Sequence, residues 1–192
     1  PSLSIRQSET PEIVGGTQDT FAVDLDDTTG ANYSLQLSAF TAVNGTETIP
    51  SGGVWLWNDS VAPPVSVNVT AGVERSTPSG TYEATLRAYD YDSDSVVTEQ
   101  VTVEVLDPAT FDIEITETNA PAEGGEPLEV TAGVTNTGDV AGTQNVSLSL
   151  YGVGTDTTEL TLASNESTTV DFSVPTTVAN NGTRYAVVGS ER

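Results

Sequence analysis

Across residues 127–136 the apolar side chains Leu128, Val130, Ala132 and Val134 alternate with Glu129, Thr131, Gly133 and Thr135. A period of two sends one set into a core and the other into water, which marks a half-buried strand and does not suit a helix. The period returns in Phe111, Ile113 and Ile115, in Val146, Leu148 and Leu150, and in Val170, Phe172 and Val174. It also fills the first half of the chain. There it runs through Leu3 and Ile5, Phe21 to Leu25, Tyr33 to Ala39, Val65 to Val69, Tyr82 to Ala88, and Val101 to Val105. Turn formers separate these runs, among them Gly15-Gly16, Asn44-Gly45, Pro78-Ser79-Gly80 and Thr137-Gly138-Asp139. Many short strands punctuated in this way predict an all-β sandwich protein with no helix longer than a turn.

A tyrosine that opens a strand in an immunoglobulin-like sandwich ties down the preceding loop through its hydroxyl. Tyr82 follows Ser79-Gly80-Thr81, and Tyr185 follows Asn181-Gly182-Thr183-Arg184. Two such corners, both expected to be buried, predict two tandem immunoglobulin-like β-sandwich domains, residues 1–106 and 107–192. Pro108 keeps the residue before it extended at the junction. In Val54-Trp55-Leu56-Trp57 both strand faces are apolar, so one of Trp55 and Leu56 must point outward. Core packing is the expectation for the tryptophans. Exposed, Trp55 and Trp57 would instead form a surface on which sugar rings stack, making a carbohydrate-binding module.

The chain carries 28 Asp plus Glu against 5 arginines, has no lysine, and has a formal net charge of −23. Acids are spread over both halves, so the charge belongs to the whole surface. Such a field repels phosphate backbones and anionic lipid, which argues against nucleic acid and membrane partners. It also matches the surface chemistry expected of a halophile. Cysteine is absent, so disulfides and thiolate metal sites are excluded. Seven of the ten asparagines, Asn32, Asn44, Asn58, Asn68, Asn145, Asn165 and Asn181, open Asn-X-Ser/Thr sequons. Ser and Thr make up 48 of 192 residues, so chance would place only about a quarter of asparagines there. The excess makes them N-glycosylation candidates on an exported protein.

Three segments, Gly125-Glu126-Pro127-Leu128-Glu129-Val130-Thr131, Val134-Thr135-Asn136-Thr137-Gly138 and Asn165-Glu166-Ser167-Thr168-Thr169-Val170, carry a family resemblance. Residues 107–192 resemble the CARDB-like, cell-adhesion-related modules of microbial surfaces. The resemblance implies an immunoglobulin-like sandwich and a cell-surface location, with no one ligand. Such modules normally continue into one more strand after the position of Tyr185. Their missing strand is expected either from a continuation of the chain or from another subunit. In the second case the chain would be the repeating subunit of an extracellular filament or pilus assembled by donor-strand complementation, and residues 1–9, with Leu3 and Ile5 alternating, are the candidate donor strand.

Without His, Cys or Lys, acid–base chemistry falls to carboxylates alone, and no enzyme is expected. Asp90, Asp92 and Asp94 stand at alternate positions around a turn, where their oxygens could gather on Ca2+. The run lacks the glycine and the distant glutamate of an EF-hand loop, and a solvated acidic loop is the plainer reading. Asp24, Asp26 and Asp27 form a weaker group of the same kind. The sequence therefore points to a non-enzymatic extracellular structural or adhesive protein. Its partners would be other surface proteins, copies of itself, or glycans.

Overall fold

The alternating runs are rich in valine, isoleucine and threonine, whose branched Cβ atoms suit a pleated backbone. The computed structural model describes residues 3–49, 53–180 and 182–191; sixteen strands form there, with no α-helix among those residues. The protein is an all-β sandwich fold, and the chain divides into two compact units, Pro1–Asp107 and Pro108–Arg192.

The first unit contains β1 (Ser4–Gln7), β2 (Glu12–Val14), β3 (Gln18–Asp26), β4 (Tyr33–Leu37) and β5 (Thr41–Ala42). It continues with β6 (Val54–Leu56), β7 (Ser60–Val61), β8 (Val65–Gly72), β9 (Gly80–Asp90) and β10 (Ser95–Leu106). One sheet has the order β1-β3-β8-β6 and the other β2-β10-β9-β4-β7, with β5 also on β9. This is the ABED and GFC order of an immunoglobulin-like sandwich. The opening segment serves both sheets, β1 lying antiparallel to β3 and β2 parallel to β10. Phe21, Val23 and Leu25 oppose Val69, Val67 and Val65 on one inner face; Tyr82 and Ala84 oppose Val103 and Val101 on the other. The Tyr82 ring is buried and its hydroxyl donates to the Pro78 carbonyl at 2.9 Å, which closes the tyrosine corner.

Leu3 and Ile5 are not a spare strand. Each is only 8% exposed, and β1 pairs with β3 from Ser4↔Asp26 to Gln7↔Val23. Withdrawing both side chains from this core would cost on the order of 3–6 kcal/mol. The segment is committed to its own unit, and the expected donor strand is corrected accordingly.

The second unit contains β11 (Phe111–Thr118), β12 (Leu128–Asn136), β13 (Gly142–Leu150), β14 (Gly154–Leu162), β15 (Ser167–Val174), a 3-10 turn at Val178–Asn180, and β16 (Ala186–Ser190). Its sheets are β11-β12-β15 and β14-β13-β16. Val130, Ala132, Val134, Val146, Leu148, Phe172 and Val174 form the centre of its core. Register corrects the second tyrosine corner. Leu148 is fully buried and pairs with Val188, so Ala186, Val188 and Ser190 share the inward side. Tyr185 falls one residue out of step and points to water, 79% exposed.

The landmark strand β12 ends on a buried carboxamide. Asn136 continues the inward row after Val134 and is 0% exposed. Its Oδ1 accepts from the N–H groups of Thr110 and Gly138, both at 3.1 Å. Its Nδ2 donates to the carbonyls of Val140, Leu162 and Ala163 at 2.9, 3.2 and 3.1 Å. One side chain thus joins the start of β11, the turn after β12 and the end of β14. The turn sits against backbone at Pro108, where a Cβ on Gly138 would meet the Pro108 carbonyl oxygen at 2.2 Å. Only glycine fits there.

Candidate functional site

The inward positions of β6 are taken by Val54 and Leu56, both packed against the first core. The strand's period then turns Trp55 outward, 48% exposed, and Trp57 follows at 68%. Core packing of the tryptophans is therefore corrected. The aromatic volume of that core is supplied by Tyr33, Phe40 and Tyr82 instead. On the outer face Trp55 opposes Thr70 in register. The Trp57 indole N–H donates to Thr70 Oγ1 at 2.9 Å, and Thr70 Oγ1 lies 2.6 Å from Thr20 Oγ1. That bond fixes the Trp57 ring over the sheet and buries the Thr70 side chain beneath it. Asn68, an exposed sequon residue, accepts the Trp57 backbone N–H through its carbonyl at 3.1 Å. Tyr89 and Tyr91 do not join this face. They lie on and beyond β9 in the other sheet, edge to face with centroids 4.8 Å apart, and the Arg87 guanidinium sits 5.8 Å from the Tyr89 ring.

The three aspartates of the 90–94 turn are engaged separately. Buried Asp90 accepts from the Asp92 N–H at 2.9 Å and the Ser93 hydroxyl at 2.5 Å. Those bonds, the Ser93 hydroxyl first, hold its carboxyl below the ordinary aspartate range. Asp92 is exposed, and Asp94, at φ +53°, takes the Tyr89 hydroxyl. Among the described residues no three acidic side chains gather as a cation cage. Asp24 takes the Ser66 hydroxyl, Asp26 is exposed, and Asp27 is buried under the Tyr33 hydroxyl at 3.0 Å. Burial, and then that bond, push the Tyr33 hydroxyl above the ordinary tyrosine value. Of the sequon residues, Asn32, Asn44, Asn58, Asn68 and Asn165 are exposed and Asn145 is half-buried. Asn181 lies outside the described residues.

A wide concave feature belongs to the second unit. A groove of about 760 Å³ opens between its two sheets, walled by Ile115, Leu128, Val130, Leu148, Leu150 and Ala186 and rimmed by Glu123 and Arg184. Ile115 is half exposed within it. Neither the groove nor the asparagine hub at the far end of β12 is announced by a chemical motif. The signal available in the sequence is positional, since Asn136 falls on the inward row of β12.

No protein-family model matches the chain, and no curated protein sequence matches it. Among solved structures it is similar to the SrpA adhesin from Streptococcus sanguinis, with 14% identity and a TM-score of 0.44 over 81% of this chain and 90% of that one. It is similar to the sialic acid binding region of the Streptococcus sanguinis SK1 adhesin, with 14% identity and a TM-score of 0.44 over 79% of this chain and 58% of that one. A family 123 glycoside hydrolase from Clostridium perfringens is also similar, at 12% identity and a TM-score of 0.43. That match covers 56% of this chain and only 28% of the hydrolase. Likenesses of this size assign neither a family nor an activity. No helix among the described residues is long and apolar enough to cross a membrane.

Proposed function

We propose that the chain is a non-enzymatic, extracellular adhesive and structural protein of a halophile, with a CARDB-like second unit. The first unit would meet neutral surface glycans through Trp55 and Trp57. The exposure of two indoles side by side on one sheet face carries this reading. An indole leaves a large apolar area in water, and tryptophans are concentrated where proteins make contacts. The bond from Trp57 to Thr70 holds that ring in place before any ligand arrives, so little ordering entropy is lost on binding. The net charge of −23 favours neutral sugars over anionic ones and keeps the surface hydrated.

Trp55 and Trp57 are the only tryptophans in the chain, so indole fluorescence reports on this face alone. Titration with soluble neutral polysaccharides in molar NaCl should quench and shift that emission. Trp55→Ala should remove binding while the melting temperature stays within a few degrees. An unchanged spectrum across neutral glycans, or binding that survives Trp55→Ala, would refute the reading.

A further inference from the structure

The indole face carries a sequon of its own chain. Leu56 pairs with Val69, and the Trp57 backbone N–H donates to the Asn68 carbonyl at 3.1 Å, so Trp57 stands opposite Asn68 on the outer face of the sheet. Opposite residues in an antiparallel pair hold their Cβ atoms about 4.5–5.5 Å apart. From that position the Trp57 side chain reaches across to Thr70, two residues along β8, where its indole N–H is bonded at 2.9 Å. The ring therefore lies along the sequon Asn68-Val69-Thr70. On its other flank Asn68 pairs with Ala22, which is exposed and carries only a methyl group. The outward neighbours of Asn68 are Trp57, Ala22, Ser66 and Thr70, an uncharged set in a chain with 28 acidic residues. Asn68, itself exposed, thus stands at the edge of an apolar platform.

We propose that Asn68 is an N-glycosylation site whose own sugar packs on Trp57. Attachment forms a bond from Asn68 Nδ2 to the anomeric carbon of a phosphate-activated sugar. The anomeric C–O bond breaks, the phosphate leaves with the electron pair, and the amide nitrogen gives up one proton. The hydroxyl of the third residue belongs to the acceptor motif. In the folded chain Thr70 Oγ1 is bonded to Trp57 and Thr20, and Thr70 is only 3% exposed. The transfer therefore precedes closure of this sheet, and folding then brings the indole to the sugar. The sugar is neutral, a hexose or an N-acetylhexosamine, and its C–H face meets the apolar body of the indole. Tethered beside the ring, it is present at an effective concentration on the order of millimolar, so one weak stack holds it. The inference rests on the reading of this face as a sugar platform and divides it. Trp57 serves the chain's own glycan, and Trp55 is left for a foreign one.

The probe is the full chain secreted from yeast, with its N-glycans trimmed enzymatically to a single N-acetylglucosamine and the protein kept in molar NaCl. Cleavage after acidic residues releases residues 60–74, which contain Asn68 and no other sequon. That peptide should gain the mass of one N-acetylhexosamine. In the folded glycoprotein the ring protons of this sugar should shift upfield and cross-relax with the Trp57 indole protons. Unfolding in urea should abolish both signals. Trp57→Ala, at an exposed position, should also abolish both while Asn68 stays modified, and Trp55→Ala should leave both in place. An unmodified Asn68 overturns the proposal. So does an attached sugar whose shifts are the same folded and unfolded, or whose upfield shift survives Trp57→Ala. The polysaccharide titration above uses chain from a host without N-glycosylation, so the two readings fail on separate samples. No quenching there with an upfield sugar here strikes the foreign ligand alone; quenching there with an unshifted sugar here strikes the attached one alone.

Discussion

Replacing Asn136 by alanine should destabilise the second unit selectively. The substitution leaves the Gly138 N–H unbonded in buried surroundings and the Thr110 N–H and the Val140 carbonyl unbonded where water reaches in part, and it removes one bond each from the Leu162 carbonyl, a ladder partner of Gly142, and the Ala163 carbonyl, which keeps the Glu166 N–H. A stranded buried group costs about 1–3 kcal/mol, while a group that regains water costs little. The stranded Gly138 N–H and the bond lost from the buried Leu162 carbonyl therefore set an expected destabilisation of about 2–4 kcal/mol. A domain of this size is stable by only about 5–15 kcal/mol, so the second unit would lose a large part of its margin. Two probes separate the units. Indole emission comes only from Trp55 and Trp57 and reports the first unit, whereas far-ultraviolet circular dichroism reports both. In urea at fixed molar NaCl, Asn136→Ala should split the dichroism transition and move one limb to low denaturant. The fluorescence transition should stay where it is. A loss below about 1 kcal/mol would show that water satisfies the exposed groups and that the hub is not structural. An equal shift in fluorescence would show that the two units do not unfold independently.

The remaining predictions concern charge. Screening falls from a Debye length of about 30 Å at 0.01 M salt to about 3 Å at 1 M, so the melting temperature should climb by many degrees between dilute buffer and molar NaCl; a flat profile would remove the halophile argument. Stability should also fall off at both ends of the pH scale. The Asp90 carboxyl is lowered by its bonds to Ser93 and Asp92, so its contribution is present above the ordinary aspartate value and is lost as pH falls through the lower, folded value. Ser93→Ala should shrink that acid-side loss. The Tyr33 hydroxyl is raised by burial and by Asp27, so its contribution is complete below the ordinary tyrosine value near 10 and is lost as pH rises through the higher, folded value. Tyr33→Phe should flatten the alkaline limb of a melting-temperature profile, and an unchanged limb would contradict the assignment.

Period-two alternation exposed most of the strands because backbone geometry alone decides which residues share a face. It failed where both faces are apolar. In Val54-Trp55-Leu56-Trp57 and in Tyr185-Ala186-Val187-Val188 either row could serve as the core, and only pairing with a neighbour chooses. Thr70 opposite Trp55 and Leu148 opposite Val188 settle the two cases, and both settle them against the aromatic. The same rule would have located the buried polar groups. Asp27 follows Phe21, Val23 and Leu25 on the inward row of β3. Asp90 follows Tyr82 to Ala88 on β9, and Asn136 follows Leu128 to Val134 on β12. Each accepts the N–H two residues ahead, from Thr29, Asp92 and Gly138 respectively. A strand that enters a turn leaves backbone N–H groups with no ladder partner, and an inward Asp or Asn can bond them without leaving the row. The reading of 90–94 as a cation loop treated its acids as equivalent. Parity makes Asp90 a turn support, and it leaves Asp92 exposed and Asp94 with Tyr89. Carboxylates in so acidic a chain are therefore better sorted by the face they occupy than by their spacing.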